Sequence, residues 1–119
     1  MTKYVVRFQA TPLNYTRKEA CLVEAETAVD AVLAVTDMLI RRGDDPAAFL
    51  PCRKVVKNVK EMGTADKWDQ RYIEEGKTTL EEVVKKNDEY RKGLIEKEIA
   101  EWVEVYKEPP VTAKILSFV

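Results

Sequence analysis

The chain has 119 residues, 45% of them hydrophobic and 34% charged, with only four Gly and five Pro. That length and balance predict one folded domain, residues 1–119, with enough apolar side chains to bury a core and too many for a disordered chain. Its 20 basic and 21 acidic residues leave a net charge of −1, which excludes a strong global field toward nucleic acid or anionic membrane, and its two cysteines exclude a disulfide framework.

Tyr4, Val6, Phe8 and Ala10 alternate with Val5, Arg7 and Gln9, the period-2 pattern of a strand with one apolar face. Thr11, Pro12, Leu13 and Asn14 read as a loop. Alternation returns over residues 18–26, with Cys21, Val23 and Ala25 on one face, and the two runs are expected to pair as a hairpin. Thr27, with Asp30 three residues on, opens a helix in the manner of a capping box. Ala31, Val32, Val35, Met38 and Leu39 follow at helical spacing, Arg41 and Arg42 suit the negative end of the helix dipole, and Gly43 suits the position just past its end.

Asp45 and Pro46 restart structure as cap and first helical residue, giving one short turn that Pro51 ends. Residues 52–62 fit both periods. Val55, Val56 and Val59 are β-branched, and a hairpin plus one helix needs further strands to complete a sheet, so a strand is expected. Trp68, Tyr72 and Ile73 predict a short helix stopped at Gly76. Thr78 and Thr79 with Glu81 and Glu82 form a second helix start. The helical pattern that follows runs to about Lys107, which in one piece would span about 40 Å. Gly93 either breaks it or leaves it projecting beyond its own sheet. Glu108, Pro109 and Pro110 end it, and residues 111–119 alternate like a closing strand.

The expected fold is therefore α+β: a small antiparallel sheet in the order ββαβααβ, helices mainly on one face, and a long helix before the last strand. Met1-Thr2-Lys3 runs straight into the first strand pattern and no apolar run is long enough to span a membrane, so a cytoplasmic protein without membrane contact is expected.

The chain contains no histidine, which removes the commonest general base and the commonest metal ligand. Cys21 and Cys52 make no zinc motif, and the isolated glycines make no phosphate loop. No catalytic residue, metal or cofactor is therefore assigned. The expectation is a non-catalytic interaction protein, a small regulator or inhibitor of the kind phages and mobile elements encode, acting on a protein partner. A homodimer is expected, because a projecting helix needs a second surface for Ile99, Trp102, Val103 and Tyr106. The alternative is nucleic-acid or small-nucleotide binding through Arg41, Arg42, Arg53, Lys54 and Lys57. A third reading is a small enzyme using carboxylate or Tyr chemistry.

Overall fold

A computed structural model describes residues 1–10 and 18–107. The predicted loop around Pro12 and the predicted closing strand over residues 111–119 lie outside the described residues. Strand β1 (Thr2–Ala10) is the centre of the sheet. Along one edge it pairs antiparallel with β2 (Lys18–Ala25), in a register that sets Tyr4 opposite Val23 and Val6 opposite Cys21. Its other edge is divided between two short strands. β3 (Phe49–Leu50) takes Gln9 and Ala10, and β4 (Val103–Val105) takes Tyr4 to Val6.

The period-2 pattern decides which face is covered. Val6, Phe8 and Ala10 join Ala25 and Phe49 in the core, with Cys21 and Val23 packed at its margin. Phe8 and Phe49 meet edge to face, with centroids 5.8 Å apart. Helix α1 (Ala28–Arg41) lies across this face and buries Ala31, Val32, Val35 and Leu39, the stripe its sequence marks. Thr27 caps it, accepting from the Asp30 N–H at 3.1 Å. Its exit runs through Gly43 at φ +85°, and the Asp44 N–H returns to the Leu39 carbonyl at 2.9 Å. A single 3-10 turn, Pro46–Ala48, follows under an Asp45 cap, as the Asp-Pro pair predicts.

The expected strand over residues 52–62 is instead helix α2 (Cys52–Glu61). Cys52 and Val55 are fully buried in the core and Val59 packs against it, the i, i+3, i+7 stripe of a helix. Burial of that stripe outweighs the β-preference of the valines, which amounts to less than about 1 kcal/mol each. The sheet takes its third strand from Phe49 and Leu50, so residues 52–62 are not needed for it.

Helix α3 (Lys67–Glu74) is the short helix expected around Trp68, and Asp66 and Asp69 close a capping box at its start. Helix α4 (Leu80–Trp102) begins where Thr79 accepts from the Glu82 N–H, and its 23 residues run about 35 Å. Gly93 does not break it: it is helical, and a Cβ there would meet no other heavy atom within 4 Å. The helix stops short of the expected Lys107, because Val103 to Val105 leave it to form the β4 ladder. The Tyr106 N–H extends that ladder to the Lys3 carbonyl at 2.8 Å. α4 enters the core through Ile95 and Ile99. Its N-terminal half lies beyond the sheet and packs with α3, where Val83 is buried and Asn87 donates to Asp69 at 2.9 Å. α3 and this half of α4 form an arm.

Because Gly93 sits exposed in an unbroken helix, Gly93→Ala is expected to stabilise the protein by about 0.5–1 kcal/mol, measured as a shift in the urea midpoint at constant slope. A helix that ended at Gly93 would give no gain or a loss.

Candidate functional site

The helical reading of residues 52–61 changes which basic residues stand together. On a strand, Lys54 and Lys57 point to opposite faces; on α2, three residues apart, they share one. That face carries Lys54, Lys57, Asn58 and Glu61. The face of α4 opposite it carries Tyr90, Arg91, Leu94, Lys97 and Glu98, and between them lies a cleft of about 550 Å³. The helices run antiparallel. Lys54, near the start of α2, meets Glu98, and the Gly63 N–H, just past its end, meets Asp88.

Glu98 forms the floor of the cleft. It is 5% exposed, and its Oε1 accepts from Lys54 Nζ at 3.2 Å. Its Oε2 is buried and accepts from no donor among the described residues. A buried acceptor without a donor costs about 1–3 kcal/mol, more when charged. Asn58, also buried, spends one amide proton on the Lys54 carbonyl at 2.8 Å, which fixes its side chain on α2. Lys57 and Lys97 are exposed and hold no ion-pair partner among the described residues.

The far end of the cleft is clamped. Asp88 accepts from the Gly63 N–H at 3.0 Å and from Arg91 Nη1 at 2.9 Å, and Arg91 also donates to the Thr64 carbonyl at 3.1 Å. Gly63 has φ +78°, which aims its N–H at the helix. The Gly63 N–H, then the Arg91 guanidinium, hold the Asp88 carboxyl below its ordinary range. Asp69 is lowered likewise, first by the Asn87 amide.

The other basic residues singled out by the sequence do not join this cleft. Arg42, at the end of α1, is bound to Glu19 at 2.8 Å and to Asp44. These two partners raise its pKa, Glu19 first. Arg41 lines a shallow hollow with Ala34, Asp37 and Met38, and Arg53 lies on α2 outside the cleft lining. Lys54 and Lys57 thus keep company with Arg91 and Lys97 rather than with the arginines of α1. At the end of α4, Ile99 and Val103 pack against the chain's own core, while Trp102 and Tyr106 are half-buried beside the sheet. Glu104 pairs with Arg7 at 2.6 Å there.

Among the described residues, the arm carries exposed aromatic side chains. Trp68 and Tyr72, one turn apart on α3, are 70% and 48% exposed, and Leu80 at the start of α4 is 55% exposed. Lys77 Nζ stands 5.4 Å from the centroid of the Tyr72 ring. The spacing of Trp68 and Tyr72 marks a helix but not whether its apolar side is covered, so the sequence alone did not single them out.

Among the described residues, no group of three His, Cys, Asp or Glu side chains is placed to hold a metal ion. Burial pushes both thiols up, Cys52 inside the core and Cys21 at its margin. No helix of the described residues is long and apolar enough to cross a membrane. The chain matches no protein-family model, no curated protein and no solved structure.

Replacing Glu98 by leucine removes the orphaned oxygen and leaves Lys54, which is 49% exposed, in water. Glu98→Leu is therefore expected to leave stability unchanged or to raise it by about 1 kcal/mol in urea unfolding. A clear loss would show that the Lys54 ion pair outweighs the unpaired oxygen. A depressed carboxyl stabilises above its unfolded pKa, and that contribution is lost as pH falls through the folded value. The Gly63 amide proton resonance is thus expected to titrate with Asp88 below the ordinary aspartate range of about 3.9, with the clamp loosening below that point. Titration at the ordinary value would mean that Asp88 is not held by Gly63 and Arg91.

Proposed function

We propose that the protein is a non-catalytic interaction protein, a small regulator or inhibitor that docks its α3–α4 arm on another protein. The exposure of Trp68 on a helix held away from the sheet carries this reading. Indole is the most expensive side chain to leave in water, and aromatic anchors dominate the energetics of interfaces. Trp68, Tyr72 and Leu80 together present on the order of 400 Å². Exposed apolar area on that scale, where it lies together, is of the kind that often serves binding.

The same magnitude bears on the homodimer. Two arms laid face to face bury about 800 Å² of these side chains, below the ~1,200 Å² of a stable interface. Self-association through the arm is therefore weak. A partner groove that encloses the arm, in the manner of an amphipathic helix seated in an apolar channel, covers more of it. At the opposite end of α4, Ile99 and Val103 already spend their apolar surface on the core, which leaves Trp102 and Tyr106 as the smaller candidate seam.

Affinity capture from lysate of the cells that encode the protein tests the reading, using wild type, Trp68→Ser/Tyr72→Ser and Trp102→Ala as three baits. The expected result is a protein retained by wild type and Trp102→Ala but lost with the arm variant, whose melting temperature stays within about 2 °C of wild type because the changed residues are on the surface. Sedimentation of wild type is expected to show a monomer that associates only at high concentration. An identical set of captured proteins for all three baits would overturn the proposal.

A further inference from the structure

Among the described residues, strand β2 is an edge of the sheet. It pairs with β1, and its other side, over residues 20–25, meets no further strand among them. Proteins blunt such edges with a bulge, a proline, an inward-pointing charge or a short strand, because an open edge invites another strand. β2 has eight residues, its register with β1 is unbroken from Lys18 to Ala25, and Ala20, Cys21, Leu22 and Val23 at its centre are uncharged. Leu22, opposite Val5 on the face away from α1, is 45% exposed.

The sequence of β2 fits a second copy of itself. In an antiparallel pair, residues opposite each other either both hydrogen-bond across the pair or both turn away. Two copies of one strand therefore meet about an axis at a residue position, with even numbers facing even and odd facing odd. Centred on Cys21, Lys18 of each copy stands opposite Glu24 of the other, Ala20 opposite Leu22, and Glu19, which Arg42 holds, opposite Val23. Centred on Ala20, Lys18 meets Leu22. Centred on Leu22, Glu24 meets Ala20, and Lys18 meets Glu26, past the end of the strand. The Cys21 register matches both charges of the open face within the strand and sets a small side chain against Leu22. Within the chain Lys3 stands opposite Glu24 and Gln9 opposite Lys18, so the joined sheets carry the row Lys3, Glu24, Lys18, Gln9. Helix α1 follows the same edge. Met38 Sδ lies 3.6 Å from Cys21 Sγ, and beside it Ala34, Asp37 and Arg41 line a hollow of about 420 Å³.

We propose that two copies of this chain pair through β2 about a two-fold axis at Cys21, joining their sheets into one. The axis runs the two α1 helices antiparallel on the covered face, with their Ala34 hollows turned to the seam. One strand and the flank of one helix from each copy make an interface at the small end of the range, so this pairing is the association that concentrated protein shows. It uses the edge of the sheet opposite β3 and β4 and leaves the α3–α4 arm free in both copies. A dimer then carries two docking arms, and a partner with two sites gains avidity from both.

The test is sedimentation equilibrium of the full chain up to about 1 mM. Wild type is expected to dimerise. Lys18→Glu and Glu24→Lys change exposed side chains, and each sets like charges opposite one another twice, so each alone is expected to associate about tenfold more weakly. An equimolar mixture of the two is expected to recover association toward the wild-type level, because each variant supplies the charge that the other lacks. Trp68→Ser/Tyr72→Ser is expected to dimerise as wild type. A wild type that stays monomeric at every concentration would overturn the proposal and leave the edge to an extended segment of another protein. Association lost in the arm variant, unchanged in both charge variants, or not recovered by mixing them would overturn it as well.

Discussion

The pairing of β4 with β1 governs the shape of the molecule. Val103 to Val105 lie against Tyr4 to Val6, so the C-terminal end of α4 is fixed at the sheet. A helix of 23 residues cannot be shortened, and the core accepts it only through Ile95 and Ile99. Its remaining turns must extend past the sheet. There they meet α3, and Val83, Asn87 and Asp69 make the contact. α2 has ten residues, fewer than half those of α4, so it follows its neighbour for part of the way and then turns off at Gly63. The arm and the cleft are both consequences of anchoring a long helix at one end and backing it with a short one.

Burial within this frame is uneven in kind. The core around Val6, Phe8, Val35 and Leu39 is apolar apart from Thr36, whose hydroxyl donates to the Val32 carbonyl at 2.9 Å. Polar burial concentrates where α2 leaves the core for α4: Asn58 and Glu98 are buried, and Lys54 lies between them with its carbonyl on one and its ammonium on the other. Leucine at position 98 would pack this seam without an orphaned acceptor. Natural chains rarely sit at their stability optimum, and the unpaired oxygen is a cost that the fold tolerates.

The elements that the sequence revealed are those where local signals and burial agree. Thr27, Asp30 and Gly43 bound α1, and the Ala31–Leu39 stripe is the stripe that is buried. Tyr4 to Ala10 alternate because one face of β1 meets the helices. Over residues 52–62 β-branched valines at helical spacing satisfy both periods, and only the tertiary partner decides for a helix. The cleft is not legible from a strand there, since Lys54 and Lys57 share a face only on a helix. Arg91 and Lys97 complete it from 34 to 43 residues away, a proximity no local pattern encodes. The end of α4 is obscured in the sequence for a related reason. Val103 and Val105 are compatible with a helix, and the vacant edge of β1 that claims them is a property of the folded sheet.

Arg91 stands where these features meet. Its guanidinium faces the cleft and spans Asp88 on its own helix and Thr64 on the loop that leads into α3. The loop into α3 is therefore tied to α4 by charge-assisted bonds and one backbone N–H, beside the buried Val83 and the Asn87–Asp69 bond. Arg91 is only 11% exposed and Asp88 24%, so salt screens their pairing less than it screens ion pairs at the open surface. Because α4 is unbroken through Gly93, its N-terminal half keeps the direction that Ile95 and β4 set, and the Gly63–Asp88–Arg91 clamp fixes the loop into α3 against that half.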